Sequence, residues 1–179
     1  MRENVSLRRL SEGAVIAALY TVLTVGLSPI SYGLFQCRVA EALTILPAFT
    51  PSAIPGLAVG CLISNTIGLA MGLNVAGPLD IVLGTLATLL AALCSYALRN
   101  IRFKGVPVLS ALPPVLFNAV IIGAELSVAF NHPLWLSMLV EVGAGELAAC
   151  LVLGVPLATV LVKTGAAERI FGRNTVKRI

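Results

Sequence analysis

Gln36, Arg38 and Glu41 stand within six residues of one another in the stretch SYGLFQCRVAEAL, at the edge of an apolar run. An amide, a guanidinium and a carboxylate suit the recognition of a small polar molecule. The carboxylate accepts from N–H groups, and the other two donate to a carbonyl. Arg38 and Glu41 are also i and i+3, so on a helix they can meet and neutralise each other as an internal ion pair. More ionisable groups stand in or beside apolar runs: Asp80, Glu125, Glu141 and Glu146. Asp80 follows Gly77–Pro78 at a helix start, where a negative charge is favourable in its own right. Asn118 and Glu125 are seven apart and share one helix face, with bonding between helices as the plainer reading. Glu141 and Glu146 are five apart, so on an α-helix they point in different directions and one of them faces a ligand. Tyr32, Phe35, Phe130 and Trp135 can stack on a planar ring. Trp135 equally suits a membrane-interface anchor, and His132, before Pro133, reads as a surface residue.

The elements that must hold these groups are membrane spans. The chain has 179 residues, 58% hydrophobic and 11% charged, against about 25% charged in soluble domains. So few charges do not cover a water-facing surface, and the length allows one bundle over residues 1–179 with no separate soluble domain. Apolar runs fall at 7–27, 36–49, 53–73, 79–98, 106–129 and 134–162. A span takes about 20 residues, so the second run is short. The first run has a basic start but no small-residue cleavage site, and is read as a span.

Charge decides the short run. Basic residues cluster at the N-terminus (Arg2, Arg8, Arg9), at Arg99, Arg102 and Lys104, and at the C-terminus (Lys163, Arg169, Arg173, Lys177, Arg178). Such clusters flank spans on the cytoplasmic side. An even number of crossings must then separate each cluster from the next, which four and two satisfy. The pattern predicts an all-α bundle of six transmembrane helices with both termini cytoplasmic, in the cell membrane. The five acids Glu41, Asp80, Glu125, Glu141 and Glu146 then lie in the outer half or at the outer surface. Each costs about 2.5–3.5 kcal/mol at a helix centre, so together they suggest a pocket open to the outside. The net charge of +4 is accounted for by the basic clusters and argues for lipid contact, not nucleic acid.

Small residues recur at helical spacing. Gly56, Gly60, Ser64, Gly68 and Gly72 stand four apart, and Gly84, Thr88 and Ala92 do the same. Both read as close packing between helices in lipid. Gly13, Ala14, Ala17 and Ala18 make a third small face. Cys37, Cys61, Cys94 and Cys150 are scattered singly and read as small hydrophobes. There is no HExxH, no P-loop motif, and no nucleophile–base motif. Zinc hydrolysis and direct ATP binding through a P-loop are disfavoured, and an intramembrane enzyme is a remote alternative.

The stretches SYGLFQCRVAEALTILP, PSAIPGLAVGCLISN and GPLDIVLGTLATLLAA resemble the QueT family, over roughly residues 9–163. Members are substrate-binding S-components of energy-coupling factor (ECF) transporters assigned to uptake of queuosine precursors. The resemblance implies six helices, no cofactor, and work within an assembly of a membrane coupling subunit and two ATPase subunits. It implies a ligand of the 7-deazaguanine class, with an S-component for another vitamin-like molecule as the alternative. It also implies docking of the coupling subunit on an Ala-x-x-x-Ala motif, which Ala14 and Ala18 match, with Ala17 beside them. For such a ligand the candidate contacts are Tyr32, Gln36, Arg38, Glu41, Asp80, Asn118, Glu125, Trp135 and Glu141. A carboxylate reads the donor edge, while Gln36, Arg38 and Asn118 orient the carbonyl side.

Overall fold

The computed structural model describes residues 2–172; the basic residues Arg173, Lys177 and Arg178 lie outside them. Among the described residues the regular structure is helical, apart from one isolated bridge between Phe103 and Val106. The order is α1 (Arg2–Gly26), a short α2 (Ser28–Ser31), a 3₁₀ helix (Val39–Ala48), α3 (Ala53–Ala70), α4 (Leu79–Ala97) and α5 (Leu112–Phe130). The final column, Leu134–Lys163, alternates three α segments, α6 (Leu134–Leu136), α7 (Ala144–Leu147) and α8 (Val155–Lys163), with two π-helical segments (Ser137–Gly143 and Ala148–Gly154). A short α9 (Ala166–Phe171) follows. Five helical stretches are long and apolar enough to cross a membrane: Leu7–Gly26, Ala53–Ala70, Leu79–Asn100, Val108–Phe130 and Leu134–Lys163.

The second apolar run is not an α-helix. It enters as extended chain, with Arg38 at φ −84° and ψ 96°, and then winds as a ten-residue 3₁₀ helix. Pro47 inside it has no N–H to donate and in an α-helix would press on the carbonyl four residues back. The Thr44 hydroxyl donates to the Glu41 carbonyl three residues earlier (2.5 Å), which favours the tighter winding. Every residue from Ala40 to Thr50 is buried. The 3₁₀ helix is therefore the axis of the molecule, with α1, α3, α4 and the final column packed against it. Non-α backbone is tolerated inside a membrane where protein covers it.

Glycine lets the surrounding helices close in. A Cβ on Gly56 would lie 2.6 Å from the Gly13 carbonyl, and one on Gly60 would lie 2.8 Å from Tyr20 Cβ. The four-residue ladder is thus the seam between α3 and α1, as its spacing predicts. A Cβ on Gly68 would strike the Tyr32 ring, so the same ladder seats the connection after α1. Gly72, the last member, has φ +69° and ends the helix instead of packing. On the final column, Gly145 lies directly against the Gln36 carbonyl, and Gly154 would set a Cβ 3.2 Å from the Ala42 carbonyl. Backbone there meets the axial helix at Ala42 and the extended chain entering it at Gln36, with no side chain between.

The basic clusters meet at one end. The Arg8 guanidinium donates to the Ile170 carbonyl (2.8 Å), the Thr50 hydroxyl to Glu12 (3.1 Å), and Arg102 lies 6.0 Å over the Phe49 ring. At the far end the Gln36 N–H donates to the Glu141 carbonyl (2.7 Å) and the Val75 N–H to the Tyr32 carbonyl (3.5 Å). The connection after α1, residues 28–35, is ordered by α2 and by the Cys37 N–H on the Ile30 carbonyl (2.8 Å).

Gly60→Leu is expected to lower stability in detergent by about 1–3 kcal/mol, as overpacking does. Gly26→Ala, where nothing stands within 4 Å, is the control that leaves the melting temperature unchanged.

Candidate functional site

Arg38 does not pair with Glu41. The i, i+3 geometry that would join them needs both on a helix, and Arg38 stands just before the 3₁₀ helix in extended backbone. Its Nη2 donates instead to Asp80 Oδ2 at 2.7 Å, in a pair almost fully removed from solvent. Asp80 sits in the first turn of α4, as predicted, but it does more than complement a helix terminus. Asn74 Nδ2 donates to the same Oδ2 (2.8 Å), and Asn65 Nδ2 donates to the Asp80 backbone carbonyl (2.8 Å). Gly84 makes the room: a Cβ there would stand 2.6 Å from Asn65 Nδ2 and 2.7 Å from Asp80 Oδ1. Three elements thereby hold one guanidinium. That guanidinium acts electrostatically on Glu41, Glu125 and Glu146 as well.

Glu41 turns to α1, where the Tyr20 hydroxyl donates to its Oε1. Asn118 of α5 adjoins both Glu41 and Glu146. Cys150 Sγ lies 3.7 Å from the Glu41 carbonyl and 3.9 Å from Glu146 Oε2. At the far end, His132 Nδ1 stands 2.7 Å from Glu141 Oε1, so His132 caps a buried acid and is not a free surface group. Ser127 holds the turn by donating to the His132 carbonyl (2.8 Å), next to Asn131 in the left-handed region at φ +54°.

Polar atoms without a protein partner mark where a ligand could bond. Buried and unpartnered are Gln36 Nε2, Arg38 Nε, Glu41 Oε2, Asn65 Oδ1, Asp80 Oδ1, Thr88 Oγ1, Glu141 Oε2 and both carboxylate oxygens of Glu125. Native interiors leave few such groups, because each costs about 1–3 kcal/mol. So many, with both donors and acceptors among them, make a lining suited to a polar molecule. Among the described residues no group of three or more His, Cys, Asp or Glu could hold a metal ion.

Of the predicted site residues, Gln36, Arg38, Glu41, Asp80, Asn118, Glu125 and Glu141 are all buried in the bundle. Tyr32 is buried too, but its hydroxyl donates to the Ser64 carbonyl (2.5 Å) and its ring rests on Gly68; burial raises its phenol above the ordinary value. It braces the site. Trp135 is 63% exposed at the start of the final column. Ala14 and Ala18 are exposed on α1, while Ala17 is buried against Gly60 of α3 and does not share their face. On α-helical spacing Glu141 and Glu146 point in different directions, and both are buried. The π segment Ser137–Gly143 interrupts the α-helical count between the two acids, and Glu146, in α7, is 1% exposed.

Among the described residues, five membrane-length helices around a buried polar lining define a multi-pass integral membrane protein. The model of the QueT transporter family matches residues 10–163, most of the chain. The chain belongs to the QueT transporter family. It is 40% identical over 78 residues to a protein of Lactococcus lactis subsp. cremoris (strain MG1363) named "Queuosine precursor transporter QueT". That match spans 42% of this chain and 42% of the relative. No solved structure matches.

Breaking a buried ion pair by removing one partner costs about 3–5 kcal/mol. Asp80→Ala is expected to lose that much stability, and Arg38→Met in the same chain to recover a measurable part of it. Strictly additive losses in a double-mutant cycle would show that the two do not act as a unit.

Proposed function

We propose that the chain is the substrate-binding membrane subunit of an ECF-type importer and captures a queuosine precursor of the 7-deazaguanine class from outside the cell. The observation that carries this reading is the set of buried, unpartnered polar atoms inside a member of the QueT transporter family. Their chemistry complements a guanine-like edge. Both oxygens of Glu125 are without partners and match two adjacent N–H donors of such a ring. Gln36 Nε2 and Arg38 Nε are unpartnered donors for its carbonyl oxygen. Asp80 then positions Arg38, and Glu141 with His132 lies nearest the far end.

The topology in this reading has six crossings with both termini cytoplasmic. Two things support it. The N-terminal, 99–105 and C-terminal segments gather at one end of the bundle. The 3₁₀ helix has contacts near both ends, at Gln36 and at Thr50, and a 3₁₀ rise of about 2.0 Å per residue makes its ten residues about 20 Å long. Flanking extended chain supplies the rest of a hydrocarbon core of about 30 Å. Uptake is driven by ATP hydrolysis in two partner ATPases, linked through a membrane coupling subunit. That subunit docks on the exposed Ala14–Ala18 face of α1, flanked by exposed Leu10, Val15 and Leu19.

Purified chain is expected to bind 7-deazaguanine measurably more tightly than guanine. Glu125→Gln, folded as judged by its melting curve, is expected to weaken that binding about tenfold or more, the worth of a hydrogen bond to a charged group. Undiminished binding by the variant overturns the assignment of Glu125. Ala14→Trp is expected to abolish co-purification with the coupling subunit without lowering ligand binding.

A further inference from the structure

The segment RNIRFKG, residues 99–105, joins two membrane-length stretches, Leu79–Asn100 and Val108–Phe130, so it lies where the bundle leaves the hydrocarbon. Phe103 and Val106 exchange backbone hydrogen bonds (2.9 and 3.0 Å) around Lys104 and Gly105, whose φ angles are +50° and +84°. Positive φ at both central residues is what the commonest two-residue hairpin turn requires, and Asn or Gly meets it at least cost. The chain holds a lysine at the first of these places, so the tip carries a charge where the backbone favours a smaller residue.

The hairpin is fixed from within. Arg102 Nε donates to the Arg99 carbonyl (3.2 Å) and Nη1 reaches the Gly105 carbonyl (3.5 Å), so one guanidinium clasps both ends of the loop. Arg99 stacks over the Tyr96 ring at 3.9 Å and donates to the Tyr96 carbonyl (2.8 Å). Lys104 Nζ lies 5.6 Å from the Phe103 ring centroid. A Cβ on Gly105 would lie 3.8 Å from Val162, which brings the end of α8 and the exposed Lys163 alongside.

Both the charge and the apolar surface of this hairpin are unanswered within the protein. Among the described residues no acidic side chain stands within ion-pair distance of Arg99, Arg102 or Lys104. Arg99 Nε and Arg102 Nη2 are buried with no acceptor. Burial pulls Arg102 below its ordinary value, with no anion beside it to offset the loss of hydration. Phe103 is 69% exposed and Ile101 54%. An aromatic ring turned outward at this level belongs at the boundary between headgroups and acyl chains. A signal that only sets topology needs the charges, but neither a locked turn nor outward apolar side chains. A free phosphate or a nucleic acid would answer the charge and leave Phe103 and Ile101 in water. A molecule with an anionic head and an apolar tail answers both.

We propose that the 99–105 hairpin is a binding site for an anionic phospholipid, whose headgroup phosphate is held by Arg99 and Lys104 and whose acyl region receives Phe103 and Ile101. Arg102 is the positioning residue, because it closes the loop that presents the other two. Lys163 adds a fourth positive charge at the rim.

The test titrates the full-length chain, delipidated in neutral detergent, with phosphatidylglycerol and with phosphatidylcholine, and counts bound lipid by native mass spectrometry. Phosphatidylglycerol is expected to bind about tenfold more tightly or better, and added salt to erode the difference. Arg99→Gln combined with Lys104→Gln, with a melting curve like that of the parent, is expected to bring the ratio of the two affinities toward one. Phe103→Ser is expected to weaken both lipids while leaving the ratio in place. Equal affinities in the parent overturn the site. A ratio unchanged in the double variant overturns its assignment to this hairpin. Displacement of phosphatidylglycerol by inorganic phosphate at matched ionic strength overturns the lipid and leaves a simple anion site. The comparison in the parent needs no variant, so it decides the matter even where the double variant does not fold.

Discussion

A guanidinium inside an apolar bundle must have a counter-charge, and much of this structure follows from how Arg38 obtains one. The partner, Asp80, comes from the start of α4, and Asn74 and Asn65 hold its side chain and backbone in place. Fixing Asp80 fixes where α4 begins, and the Gly84 gap in α4 accommodates the Asn65 amide of α3. The extended backbone at Arg38 aims the guanidinium at α4 and leaves Glu41 to turn toward α1. Had Arg38 paired with Glu41 in the same helix, the charge would have been consumed locally. Drawing the counter-charge from another element ties three parts of the bundle to a single point.

The axial 3₁₀ helix imposes the second constraint. A short run containing a proline and an acid is a poor span by itself, and nothing of it from Ala40 to Thr50 reaches the surface. Its neighbours must supply what lipid cannot. Gly154 brings the final column against its backbone and Gly145 against the extended chain that enters it, and the small faces of α1 and α3 close the other side. The π segments of the final column belong to the same adjustment. The first of them carries Glu141, which meets His132 at one end, and Glu146 follows it in the short α segment α7.

The sequence made much of this legible where the signal is a composition or a repeat. Apolar runs identified the five long helices to within a few residues, and the glycine ladder at 56, 60, 64 and 68 predicted a helix seam. The buried polar residues were legible because an ionisable group in an apolar run has few ordinary uses. What failed rested on α-helical geometry. The proposed Arg38–Glu41 face dissolved because Arg38 is extended, and the α-helical count from Glu141 to Glu146 is interrupted by a π segment. Trp135 and Ala17 turn on something else: which way a residue at an end or on a small face points depends on the neighbour, and one chain's pattern does not name it.

The axial helix also says something about how the molecule is made. The contact between the Cys150 thiol and the Glu41 carbonyl joins residues 109 apart, and the glycines that cover the axis belong to the last long helix of the bundle. The backbone around Glu41 is therefore synthesised early and enclosed late. Until the final column arrives, polar groups that need burial have no protein wall beside them, and long-range closure of this kind is slow. The centre of the molecule is the last part to be completed, so a ribosome stalled before residue 134 leaves a chain whose outer helices can insert but whose polar interior is not yet enclosed.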